Sequence, residues 1–304
     1  MRHLWMMTPV GPSDSLIRLL VRGARPRTLP AAVVPVVVGA ACVPAWETST
    51  WWRGVLALVV SIALQVAVNY ANDYSDGIKG TDADRVGPLR LVGSGLVEPR
   101  IVKRAAFAMM ALAGACGLVL AAVTSWWVLA IGVAAMIATW TYTGGPRPYG
   151  YAGFGEVFVF VFFGVVATVG TQFVMSEETT ASAWWASIGV GAFACALLVV
   201  NNLRDRPNDA VVGKRTLAVA IGDAWTRRFF VALFVVAAVA TCVTASQSGG
   251  WALIGLAGIV AVIRPVSVVV RGAHGQELIA VLGQVGLAQL VFGASLAVGV
   301  SLGG

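Results

Sequence analysis

Long stretches free of charged residues alternate with short polar segments along the chain, and these stretches set its architecture. Residues 29–46, 54–72, 157–176, 179–203 and 278 to the C-terminus each approach or exceed the roughly 20 apolar residues that a helix needs to cross about 30 Å of hydrocarbon. Two further runs, 105–146 and 229–263, are too long for one crossing. They divide at Thr124-Ser125-Trp126-Trp127 and at Ser246-Gln247-Ser248-Gly249-Gly250-Trp251, the last piece continuing past Arg264-Pro265 to Val270. Strands are not expected, because period-2 alternation is missing and the runs exceed the ten or so residues of a barrel strand. The pattern predicts an all-α integral membrane protein of nine transmembrane helices, with residues 28–304 as one domain behind a tail of residues 1–27.

Composition narrows the class. Of 304 residues, 58% are hydrophobic and 12% charged, with a mean hydropathy of +0.83. So little polar surface excludes disorder, a fibre and an ordinary soluble enzyme. The net charge of +7 is distributed asymmetrically. Arginines and lysines fill the N-terminal tail and the loops after the second and sixth predicted helices, whereas Arg53 alone falls on the opposite face. Positive residues stay inside, so the N-terminus is expected in the cytoplasm and, after nine crossings of the cell membrane, the C-terminus outside. That asymmetry accounts for the basic pI of about 9.7 without invoking nucleic acid. Four scattered cysteines and two histidines exclude a disulfide framework and disfavour a Cys/His metal site.

The first residues lack an apolar h-region and a small-residue cleavage site, so no signal peptide is expected. Arg18 and Arg22, four apart among leucines, predict an amphipathic helix in the headgroup plane. Trp51, Trp52, Trp126, Trp127, Trp184, Trp185 and Trp251 fit an interfacial belt.

The acids carry the candidate chemistry. Six of the fourteen fall in two clusters, 69–84 and 201–209, at the cytoplasmic ends of predicted helices two and six. Asn69 and Asp73 are four apart with Asp76 three further on, and Asn201, Asp205 and Asp209 are each four apart, so each set shares a helix face. Carboxylates in a row repel one another unless cations lie between them, and oxygen-only donors suit Mg²⁺. Mg²⁺ completes its shell with phosphate oxygens, so two facing rows suit a diphosphate bridged by metal, with Lys79, Arg90, Lys214 and Arg215 in the same loops to neutralise it. Two features break the ladders. Gly77 stands where a strict four-residue ladder would continue, so a third acid must come from Asp82. Pro207 separates Asp205 from Asp209, which is therefore expected to begin a new turn and rank below Asp73, Asp76 and Asp205.

These residues resemble the UbiA superfamily of membrane prenyltransferases, within it the branch that acts on 1,4-dihydroxy-2-naphthoate in menaquinone synthesis. The resemblance rests on Arg25-Pro26-Arg27-Thr28-Leu29-Pro30, Asn72-Asp73-Tyr74-Ser75-Asp76-Gly77 to Asp82, and Gly87-Pro88-Leu89-Arg90-Leu91-Val92-Gly93-Ser94-Gly95. It extends through Tyr142 to Tyr151, Gly155-Glu156-Val157-Phe158 and Gly213-Lys214-Arg215-Thr216. It implies a ring of helices around a central cavity, a cytoplasmic cap made by the loops after helices two and six, and a lateral opening for a lipid tail. It further implies two Mg²⁺ ions, held by Asp73, Asp76, Asp82, Asp205 and Asp209. Asn69, Asn72 and Asn201 join them around the diphosphate, and Lys79, Arg90 and Lys214 bind its oxygens. Arg25, Arg147, Tyr149 and Glu156 are the candidates for the aromatic pocket, although an acid at the start of a helix such as Glu156 also fits the helix dipole. The implied reaction moves a polyprenyl group from its diphosphate to the naphthoate with loss of CO₂. Alternative acceptors are 4-hydroxybenzoate, homogentisate, a chlorophyllide or a phosphoribosyl group, and a secondary transporter is the alternative from another class.

Overall fold

The charge-free runs fold as helices almost end to end. The computed structural model describes residues 15–44, 49–81 and 89–303, and no strand occurs among them. The helices are α1 (Leu16–Gly23), α2 (Pro30–Ala41), α3 (Trp51–Lys79), α4 (Pro99–Val123), α5 (Trp126–Thr141), α6 (Gly155–Ser176), α7 (Ala181–Val211), α8 (Leu217–Ser248), α9 (Gly250–Val270) and α10 (Gln276–Gly303). Seven of them, α3, α4 and α6 to α10, are long and apolar enough to cross a membrane.

Both expected breaks in the long runs are present. Ser125 caps α5 by accepting the Trp127 amide at 3.4 Å, and Gly249, at φ +98°, separates α8 from α9. The first expected span is shorter than its apolar run. α2 starts at Pro30, whose fixed φ suits a first helical position, and ends after 12 residues, about 18 Å of rise. α5 has 16 residues. Neither matches the full hydrocarbon thickness alone. In α6 the segment Phe160–Val166 winds as a π-helix, a wide turn often found at functional sites. The tail arginines fall where expected on α1, whose Ser15 N-cap accepts the Arg18 amide.

α7 is the central wall: 78% of its apolar window is buried, against 22% for α4. α3 packs chiefly on α4, α7 on α8, and α10 on α9 and α2, while α6 lies between α2 and α7. Phe193 of α7 stacks on Phe292 of α10 at 4.5 Å and meets Phe234 of α8 edge-on at 5.2 Å, within the core cluster that joins these three helices. α6 approaches α7 through Gly164 and Gly191. A Cβ on Gly164 would lie 2.6 Å from the Gly191 Cα, so only small residues permit this crossing.

Candidate functional site

α3 outlasts its apolar run by two turns, carrying its polar residues on an ordered helix. It stops at Gly80, whose φ of +70° lets its N–H turn back to the Asp76 and Gly77 carbonyls. α7 likewise continues past its apolar run, and Pro207 does not interrupt it before Val211. The expectation that Asp209 leaves the face of Asp205 is therefore corrected. The helix end is fixed beyond the proline by the Val212 amide on the Asn208 carbonyl and the Lys214 amide on the Asp209 carbonyl.

Between these helix ends lies a polar recess of about 60 Å³. Its charged lining is Asp76, Asp205, Asp209, Arg25, Arg90 and Lys214, three acids against three bases, and Asn72, Asn201 and Asn202 add amides. All three acids are buried. Asp76 is the hub. The Tyr151 hydroxyl donates to its Oδ1 at 2.6 Å, while Lys214 Nζ and Arg90 Nη2 lie 3.0 and 3.4 Å from Oδ2. The Tyr151 ring faces two ammonium groups, Lys79 at 4.8 Å and Lys214 at 4.9 Å. Asp205 receives both Nε and Nη2 of Arg204 at 2.8 Å, a bidentate pairing that fixes the carboxylate plane.

The structure sorts the other sequence candidates. Asn72 joins Asp76 in the recess, its Oδ1 accepting the Thr143 hydroxyl at 2.8 Å. Asn69 and Asp73, on the neighbouring face of α3, do not line it. Asn69 donates to the Ala24 carbonyl and the Thr28 hydroxyl, and Asp73 accepts the Leu91 and Val92 amides. The inward row is thus Asn72 and Asp76, one helical register away from the row of Asn69 and Asp73. Lys79 is exposed and donates to the Thr143 carbonyl at 2.8 Å, outside the recess lining. Arg147 is exposed and lines neither cavity. Glu156 is buried behind the wall, where its Oε1 accepts the Asn202 amide at 2.9 Å. Asp82 lies outside the described residues. Three recess residues, Tyr142, Tyr151 and Asn202, are absent from the sequence-derived set. Tyr142 and Tyr151 bound the stretch quoted for the family resemblance and Asn202 follows Asn201, but none of the three was given a role there.

Below the recess opens a chamber of about 650 Å³, reached through four residues that line both spaces, Arg25, Asn72, Tyr142 and Asn201. Its walls are almost wholly apolar and run from Asn69 and Gln65 to Trp127 and Trp184 at the far end. Those two tryptophans therefore face the interior as well as the expected belt. Aromatic rings descend one wall. Tyr142 meets Tyr149 edge-on at 5.4 Å, Tyr149 stacks on Phe158 at 3.9 Å, and Phe162 follows at 6.1 Å. The Tyr149 hydroxyl donates to the Ala138 carbonyl at 3.0 Å, which turns its ring face toward Phe158. Burial pushes both phenols well above their ordinary pKa, and the Glu156 charge raises Tyr142 further. Both tyrosines are neutral rings.

Among the described residues no three His, Cys, Asp or Glu side chains come together as a metal cage. The recess instead offers carboxylate and amide oxygens from two helices. That donor set fits Mg²⁺, which usually takes one or two protein carboxylates and completes its shell with phosphate and water.

Fold and site together define a helical membrane protein in which a charged recess opens onto a long apolar chamber. Residues 32–299 match the model of the UbiA prenyltransferase family, and the chain belongs to that family. It is 48% identical over 283 residues to the 1,4-dihydroxy-2-naphthoate octaprenyltransferase of Mycobacterium tuberculosis, covering 93% of this chain and 97% of that one. It is 36% identical over 225 residues to the Escherichia coli protein of the same name, covering 69% and 71% of the two chains. Its fold is similar to a UbiA homolog from Archaeoglobus fulgidus solved with GPP and Mg²⁺, with a TM-score of 0.67 at 15% identity over 93% of this chain and 99% of that one.

Proposed function

We propose that the protein transfers a polyprenyl group from polyprenyl diphosphate to 1,4-dihydroxy-2-naphthoate, releasing diphosphate and CO₂ and forming the demethylmenaquinone skeleton. The observation that carries this reading is the direct junction of a charged recess with a much larger apolar chamber. Such a shape suits a substrate with an anionic head and a long hydrocarbon tail. In the cell membrane the base-rich face, with the recess, lies toward the cytoplasm, nine helices cross, and the loops after α3 and α7 cap the site. The water-soluble acceptor then enters from the cytoplasm while the tail stays in lipid.

Asp76, Asp205 and Asp209, with Asn72 and Asn201, would hold two Mg²⁺ ions together with the diphosphate, and the metal supplies Lewis-acid stabilisation of the departing anion. Arg90 and Lys214 bind diphosphate oxygens and stabilise the charge that builds there as the allylic C–O bond breaks and its electron pair leaves with the phosphate. Tyr142, Tyr149 and Phe158 present neutral π faces to the allylic cation and keep water from it. Because their phenols are un-ionised, the tyrosines do not compete as nucleophiles. Arg25 sits at the junction, where its guanidinium suits the acceptor carboxylate. The electron-rich ring carbon bearing that carboxylate attacks the cation, and the C–CO₂⁻ bond pair returns to the ring as CO₂ leaves.

Tyr151→Phe removes a charge-assisted hydrogen bond worth about 1.5–3 kcal/mol. It is expected to lower kcat/KM about ten- to a hundredfold in a detergent assay of prenyl transfer. The test of the function itself is incubation of the purified protein with polyprenyl diphosphate, Mg²⁺ and either 1,4-dihydroxy-2-naphthoate or 4-hydroxybenzoate, with an EDTA control. Metal-dependent product with CO₂ release from the naphthoate alone is expected. Product from 4-hydroxybenzoate without CO₂ would assign a different acceptor, and turnover of neither would reject the reading.

A further inference from the structure

We propose that Asp73 is a positioning residue that clamps the segment 89–92 onto α3 and so sets Arg90 at the recess, and that it takes no part in metal ligation. The inference rests on the diphosphate reading of the recess given above. Asp73 is fully buried. Its Oδ2 accepts the Leu91 amide at 2.8 Å and its Oδ1 the Val92 amide at 2.9 Å, so both oxygens are committed to two successive backbone N–H groups. Asp73 also does not line the recess, so a cation there would sit away from Asp76, Asp205 and Asp209 and would have to share its oxygens with two buried backbone donors.

The surroundings are built for this docking. A Cβ on Gly77, one turn after Asp73, would lie 2.4 Å from Val92 Cγ1, so the departure from the acid ladder at Gly77 is what lets Val92 reach the helix. Leu91 is fully buried in a cluster with Leu19, Tyr70 and Val102, and its carbonyl accepts the Val97 amide at 3.1 Å. The segment is therefore gripped on both sides of the peptide that follows Arg90. Arg90 reaches Asp76 from there at 3.4 Å. Asp73 and Asp76 divide the labour of one motif: one holds the loop that carries the cation, the other meets that cation in the recess.

Two measurements decide this. In the intact wild-type protein in detergent, hydrogen exchange at the Leu91 and Val92 amides is expected to be slow and unchanged by Mg²⁺ with inorganic pyrophosphate; exchange that quickens on adding the metal would mean that Asp73 turns to it, and would overturn the proposal. The second is calorimetric binding of pyrophosphate across a cycle of Asp73→Asn, Arg90→Ala and the double variant. Asparagine retains one acceptor oxygen, so Asp73→Asn is expected to weaken binding about tenfold, with the Mg²⁺ concentration for half-maximal binding unchanged. The double variant is expected to be no worse than Arg90→Ala. Additive losses, or a shift in the Mg²⁺ requirement for Asp73→Asn, would overturn the clamp. If wild-type protein binds no pyrophosphate at all, it is the reading of the recess that fails, and the wild-type exchange data alone decide whether Asp73 holds the loop.

Discussion

Asp76→Asn is expected to lower prenyl transfer by about a thousandfold while leaving the protein folded. The carboxylate sits among the Tyr151 hydroxyl, Lys214 and Arg90, and its amide replacement faces two buried cations with half the acceptor capacity and no charge. Removing one preorganised electrostatic group at a reacting site costs about 10²–10³ in rate, and the carboxylate that orients two cations and a hydroxyl stands at the upper end of that range. Lys214 and Arg90 would then be drawn to the diphosphate without their fixed counter-charge. Ground-state binding of pyrophosphate is thus expected to fall less than turnover. Single-turnover rates in detergent, beside a thermal melt, check this; a variant within tenfold of wild type would remove Asp76 from the centre of the mechanism.

Asp209→Asn should be as damaging as Asp205→Asn, each lowering turnover about a hundredfold or more, in line with loss of a single preorganised electrostatic contact at a reacting site. Both acids line the recess on a helix that Pro207 leaves unbroken. Arg204 grips Asp205 through both oxygens, whereas the backbone at Asp209 is secured by Lys214, the residue that also reaches Asp76. The two acids are thus held by different means in equivalent places. Matched assays of the two variants test it. Near-normal activity for Asp209→Asn beside a dead Asp205→Asn would show that the proline does swing Asp209 out of the site.

The membrane-spanning architecture was legible because charge-free runs and their breaks are one-dimensional information. Ser125 begins α5 and Gly249 ends α8 for local reasons that need no tertiary partner. The inward face of α3 was not legible in the same way. Asn69 with Asp73, and Asn72 with Asp76, are two equally good rows at a spacing of four, and nothing between residues 69 and 76 says which row meets α7. The choice is made by Leu91 and Val92, remote in sequence, whose amides claim Asp73. Pro207 misled for a related reason: the cost of a proline in a helix is local, but the contacts that hold the following turn come from residues 212 and 214. Tyr151 stood in a quoted motif without a role, because a tyrosine in a Gly-rich loop carries no periodicity that would show what it faces. α2 is shorter than its apolar run because composition sets where a helix is allowed in lipid, not where it must stop.

The chamber has a consequence for how a catalytic cycle ends. In the proposed binding mode the substrate is moored at two points, its phosphates in a small charged recess and its tail along apolar walls. Breaking the C–O bond cuts the first mooring. What remains is a neutral quinol on a hydrocarbon chain, and its tail gains nothing from the chamber that the acyl chains of the bilayer would not provide equally. Product departure is therefore a partitioning between two solvents of similar polarity, close to balanced in free energy. What carries the product away is dilution into the far larger volume of the bilayer, so the host lipid becomes a determinant of turnover.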